Sequence, residues 1–112
     1  MRFEWDEEKN RQNFKKHDIR FETAALVFED PYAITQRDSF GGEEERWITL
    51  GAIAPSTVLF VVHTWFETEG QFTVRIISAR AATPRERRTY EETHQGTKTR
   101  HRRDRGKKRR RY

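Results

Sequence analysis

Over the first thirty residues the apolar positions fall at helical spacing, and from residue 32 onward they fall at the spacing of strands. Phe21, Ala24, Ala25 and Phe28 form an i, i+3, i+4, i+7 stripe, which predicts a core-facing helix over residues 22–28. Asp30-Pro31 ends it, because a residue preceding proline is pushed out of the helical region. Upstream, Asp6 is placed to cap a helix over residues 7–16. Glu7 and Glu8 open that helix and Lys15, Lys16 and His17 close it, the charge order that complements a helix dipole. Its apolar content is slight, so Trp5 and Phe14 are its expected anchors. Residues 2–5 alternate polar and apolar and fit a short edge strand.

Four further strands are predicted over residues 33–37, 46–51, 57–65 and 72–79, joined by connections short enough for hairpins. Thr83-Pro84 then supplies a cap and a first helical position for a third helix over residues 85–92, with Tyr90 as its anchor. The expected fold class is α+β: two N-terminal helices, a four-stranded antiparallel meander and a C-terminal helix.

Composition and charge refine this picture. With 112 residues, 33% hydrophobic and 37% charged, the chain has room for one small core, which its eight Phe and three Trp fill with large rings. Residues 94–112 hold ten Lys and Arg against one Asp, a local charge of +9, leaving 13 basic and 17 acidic side chains, or −4, in residues 1–93. The expectation is an acidic domain over 1–93 and a basic, disordered tail over 94–112, in which Lys107, Lys108 and Arg109 are available to polyanions. A solubilising tail with no specific partner is the alternative. The chain has no Cys, so thiol chemistry and disulfides are excluded, and no apolar run is long enough to span a bilayer. The expected location is cytoplasmic.

The sequence contains no phosphate loop, no serine-hydrolase elbow and no zinc motif, and the four His are scattered without ligand spacing, so no metal and no cofactor is expected. The polar groups on the predicted sheet are Glu45 and Arg46 at the second strand of the meander, His63 on the third, and Arg75 and Arg80 on the fourth. An arginine is costly to bury unpaired, so each needs a carboxylate, solvent or an anionic ligand. Cleavage of a ribose phosphodiester needs a proton acceptor, a proton donor and cations on the phosphate, and the 2′-hydroxyl serves as nucleophile. Glu45 and His63 are the candidate proton-transfer pair and Arg75 and Arg80 the candidate phosphate ligands. Strict alternation puts these two arginines on opposite faces, so either a bulge or the strand end redirects Arg80, or only one of them serves a site. Structural roles remain open for each: a hydrogen-bonded sheet histidine, a solvated Glu45, and core or base-stacking positions for Trp65 and Phe66.

A wider pattern is carried by Phe3-Glu-Trp-Asp6, Lys9, Asn13, Lys16-His17, Phe21-Glu22, Ala24-Ala25, Val27-Phe28 and Asp30-Pro31, then Glu45-Arg46-Trp47, Gly51, Val61-Val62, Thr64 and the run RIISAR over residues 75–80, with Ala82, Glu86 and Tyr90-Glu91. Over residues 3–92 the chain resembles BrnT-type toxins. The resemblance implies a RelE-like fold and a ribonuclease toxin of a type II toxin–antitoxin pair that inhibits translation. It implies a BrnA-like antitoxin as partner, RNA as substrate, and contact with DNA only through the antitoxin. It makes Arg75, Arg80, Glu45 and Arg46 the leading active-site positions, with Lys16 and His17 as RNA contacts. The chain departs from the pattern at Asp18, where the family commonly has Gly, and at Trp65-Phe66, where members often carry a basic residue. The rival expectations are a non-catalytic binding module tethered by its basic tail and an inactive homologue of the toxin.

Overall fold

The computed structural model describes residues 1–39 and 45–98. Strand β1 (Arg2–Glu4) leads into helix α1 (Glu7–His17), followed by α2 (Phe21–Ala24) and a 3₁₀ turn (Ala25–Glu29). Then come β2 (Ile34–Arg37), β3 (Trp47–Ala54), β4 (Thr57–Thr68), β5 (Gln71–Ala81) and α3 (Pro84–Lys98). Strands β2 to β5 form the expected antiparallel meander. The sheet nevertheless has five strands, in the order β1-β5-β4-β3-β2, and β1 lies parallel to β5. The expected four-stranded antiparallel sheet is thus corrected to a five-stranded mixed one. Alternation in residues 2–5 drives the addition. Phe3 and Trp5 point under the helices, where their rings meet Phe28 and Phe21 at 5.5 and 6.1 Å. Pairing Phe3 with Val74 then completes the edge of β5.

Two faces result. On one, α1, α2 and the 3₁₀ turn cover the main core of Phe21, Ala24, Val27, Leu59, Val61, Val74, Ile76 and Ala79. The predicted stripe changes period here. Phe21, Ala24 and Val27 are the fully buried positions, each three residues from the last, because the 3₁₀ turn eclipses side chains at i and i+3. That turn presses on β3 at Gly51, where an added Cβ would lie 2.8 Å from Val27 Cβ and 3.0 Å from the Val27 carbonyl oxygen. Gly51→Ala is therefore expected to overpack the contact and to cost about 1–3 kcal/mol, read as a lower urea midpoint with an unchanged slope.

Of the two expected anchors of α1, Trp5 packs against the core and Phe14 does not. Phe14 is 38% exposed and lies under the Arg20 guanidinium. Two buried amides hold the helix instead. Asn10 Oδ1 accepts from the Phe21 N–H, and Asn13 takes both polar groups of Ala79, accepting from its N–H (3.1 Å) and donating to its carbonyl (2.9 Å). β1 reaches only as far as Arg75 along β5, so Asn13 acts as a one-residue continuation of that edge. At the ends of α1, Asp6 accepts from the N–H groups of Glu8 and Lys9, and Asp18 adopts the left-handed conformation (φ 61°) that its position requires.

On the second face α3 covers Leu50 and Val58 through Tyr90. The Tyr90 hydroxyl donates to Asp30 Oδ2 at 2.5 Å, and the same carboxyl accepts from the Ala52 and Tyr32 N–H groups. A reciprocal capping box starts the helix. Glu86 N–H donates to Thr83 Oγ1, and Thr83 N–H donates to Glu86 Oε1. The helix runs six residues beyond its predicted end. Among the described residues, no helix is long and apolar enough to cross a membrane.

Candidate functional site

The geometry of the site begins with an irregularity in β5. Val62 pairs with Ser78 and His63 with Ile76, so Ile77 is an extra residue in the ladder, a β-bulge. Beyond it the alternation of β5 is inverted. Arg75 pairs with Thr64 and Arg80 with Phe60, and Thr64 and Phe60, four residues apart on an unbroken strand, share a face. The bulge brings Arg75 and Arg80 to the same side of the sheet, the side that carries α3.

Arg46 joins them. Asp38 N–H bonds the Arg46 carbonyl, and Trp47 is the partner of His63, so one further step along the ladder sets Arg46 beside Thr64. Glu4 pairs with Arg75 from the other side. The result is a row across the sheet of Glu4, Arg75, Thr64, Arg46 and Asp38, with a carboxylate at each end and two cations within. The Arg75–Glu4 pair is 3.0 Å long, with both side chains over 40% exposed, so it contributes at most about 1 kcal/mol and exchanges readily for another anion. Arg46 bonds Asp38 at 3.2 Å, while its buried Nε has no hydrogen-bond partner among the described residues. An unmet donor of this kind costs about 1–3 kcal/mol and favours an incoming acceptor.

Arg80 is fixed more firmly. Two parallel N–H···O bonds of 2.8 and 3.0 Å join it to Glu86, and its guanidinium stacks on Phe60 at 3.8 Å. The hydrogen bond from Arg80 holds the Glu86 carboxyl below the usual carboxylate range, and the bond from Glu86 raises the basicity of Arg80. Because Glu86 also closes the capping box, Arg80 fastens α3 to the sheet.

His63 lies on the other face. It is fully buried on the helix side, edge-on to the Phe28 and Trp65 rings, with its Nε2 2.7 Å from Thr49 Oγ1. The structure does not bring it together with the arginines. Burial pushes its pKa down from 6.5 to about 4, so it is neutral at pH 7. The unfolded chain takes up this proton below pH 6.5, whereas the folded chain resists it until about pH 4. Stability present above pH 6.5 is therefore lost as pH falls through that window, by about 3 kcal/mol in total. Urea denaturation at pH 7 and pH 5 is expected to show the loss, and His63→Gln to flatten it over that interval.

The remaining candidates are spread out. Glu45 adjoins Arg46 but is exposed and paired with Arg37 at 3.4 Å. Lys16 and His17 end α1, away from the arginine row. Lys107, Lys108 and Arg109 lie outside the described residues. Trp65 packs among His63, Trp47 and Phe72 on the helix side. Two participants were not singled out in the sequence: Glu4, whose place opposite Arg75 depends on parallel pairing, and Thr64, which separates the two arginines. The alternation of residues 2–5 was the available signal for Glu4. Among the described residues there is no cluster of three or more His, Asp or Glu able to hold a metal.

The family model for the ribonuclease toxin BrnT of type II toxin–antitoxin systems matches residues 5–86. The 1.1 Å crystal structure of the Brucella abortus ribonuclease toxin BrnT is similar in fold, with a TM-score of 0.51 at 19% identity, covering 74% of this chain and 97% of that one. No curated protein matches the chain.

Proposed function

The chain belongs to the BrnT family of ribonuclease toxins of type II toxin–antitoxin systems, and from that premise we propose that it is a metal-independent endoribonuclease whose active site is the arginine row on the open sheet face. The observation that carries the reading is the pairing of Arg75 with Thr64, with Glu4 bonded to Arg75 and Arg46 one register step beyond the Trp47–His63 pair. A phosphodiester docking there displaces Glu4 from Arg75 and leaves that carboxylate beside the ribose. Glu4 then accepts the proton of the 2′-hydroxyl, whose oxygen attacks the adjacent phosphorus. The bond from phosphorus to the 5′-oxygen breaks and water protonates the leaving oxygen, giving a 2′,3′-cyclic phosphate and a 5′-hydroxyl, and the hydroxide that remains takes the proton from Glu4. Arg75 and Arg46 offset the charge that grows on the phosphoryl oxygens. Arg80 keeps α3 clear of the row, and Glu45 is a second carboxylate at the Arg46 end. Lys16, His17 and the tail cations Lys107, Lys108 and Arg109 add phosphate contacts away from the cleaved bond.

The same reading makes the protein cytoplasmic and translation-inhibiting, with the RelE-like arrangement that such toxins use. Its partner is a BrnA-like antitoxin that covers the arginine face and holds the DNA contacts of the pair. Expression in bacteria tests it. Growth arrest with new RNA ends, relieved by the product of the adjacent gene, is the expected result. Unchanged growth and RNA from a folded, expressed chain would favour a binding module or an inactive homologue.

A further inference from the structure

The β4–β5 hairpin extends past β3, whose pairing with β4 begins at Trp47 and His63, and turns through Glu69 (φ 54°) and Gly70 (φ 80°). Phe66 lies on this overhang. It has the parity of Thr64 and Phe60 and so shares the face of Arg75, two residues from Thr64 along the strand. The residue is 46% exposed. In its own row the neighbours are Thr73 and, across β1, Arg2; in the next row they are Thr64 and Arg75.

We infer that Phe66 is a stacking platform for an unpaired RNA base beside the phosphate held by Arg75. This rests on the ribonuclease reading of the same face. A single exposed ring means little by itself. Among the described residues its neighbours in these two rows are two threonines, Arg2 and the Arg75–Glu4 pair, a setting that offers one flat apolar surface beside two cations. A protein partner seats an apolar cluster, whereas one ring flanked by Arg2 and Arg75 matches one base on a polyanion. Two residues of strand span about 7 Å, comparable to the reach from a phosphate across its sugar to the base. Stacking also demands a base free of its neighbours, so the platform selects single-stranded over duplex RNA while tolerating sequence.

The test is cleavage by the full-length chain of a short single-stranded RNA, and of the same RNA with one abasic nucleotide placed in turn on either side of the cleaved bond. Phe66→Ala is expected to lower kcat/KM by about 5- to 150-fold, mainly through KM, with Phe66→Trp restoring it and Phe66→Leu failing to. At one position the abasic substrate is expected to cost the unaltered chain a similar factor and Phe66→Ala almost nothing more. Equal cleavage by Phe66→Ala, rescue by Leu, or additive losses would overturn the inference. So would cleavage unchanged alongside weakened antitoxin binding, which would assign the ring to the protein partner. No Arg75-dependent cleavage by the unaltered chain would instead remove the ribonuclease reading on which the inference stands.

Discussion

Replacing Arg75 by alanine is expected to leave the chain folded and to lower RNA cleavage by about 100- to 1000-fold, the usual cost of removing one preorganised group aimed at developing charge. Both halves of this expectation come from the same geometry. Arg75 projects from β5 on the open face, and its bond to Glu4 is exposed on both sides, so its loss removes little from the native state. In the proposed reaction the same exposure is what frees the guanidinium for a phosphate. Arg75→Lys keeps the charge but loses the planar fork, so its rate should fall between the two. Glu4→Gln separates proton transfer from charge stabilisation. It is expected to reduce kcat by a factor of at least about 100 without raising KM, since Arg75 then has no competing anion. Thermal melts and near-ultraviolet dichroism identical to those of the unaltered chain would show that these losses belong to the site.

Asn13→Ala is expected to be the most damaging single change outside the large apolar core, at about 3–5 kcal/mol, a sizeable share of the 5–15 kcal/mol that holds a small domain together. Asn13 has three partners: both backbone groups of Ala79 and the carbonyl of Ile19. Truncation strands these groups under α1, and each buried unpaired group costs about 1–3 kcal/mol. The isosteric Asn13→Asp sharpens the test. Its carboxylate still accepts from the Ala79 N–H but faces two carbonyl oxygens with no donor, so it should be no more stable than the alanine variant. Chemical denaturation of both variants measures this, and a cost below 1 kcal/mol would mean that α1 is held by something other than its amides.

Asn13 also shows where the sequence stopped being readable. The meander, the Asp6 and Thr83 caps and the Tyr90 anchor all followed from local chemistry, because each depends on residues within a few positions of one another or on apolar alternation. Asn13 is a poor helix former inside a helix, a local cost whose compensation lies 66 residues away in the edge of β5. Parallel pairing of β1 is non-local in the same way, which is why a four-stranded sheet was the natural expectation and Glu4 was not singled out.

The site divides along the same line. Arg46, Arg75 and Arg80 were visible as costly cations in strands, but their common face depends on the Ile77 bulge, and nothing in RIISAR distinguishes a regular strand from a bulged one. His63 looked like chemistry because an imidazole on a strand is rare among apolar residues. Burial against Phe28 and a bond to Thr49 account for it as a neutral member of the core.

Incubating the purified full-length chain and its Arg75→Ala variant with single-stranded RNA in excess chelator, and identifying the chemistry of the new ends, tests the central claim most directly. The arginine-row mechanism predicts cleavage undiminished by chelation, ends carrying 2′,3′-cyclic phosphate and 5′-hydroxyl, and near-complete loss in the variant. Cleavage that needs a divalent cation, leaves 5′-phosphate ends, or proceeds equally well without Arg75 would contradict it.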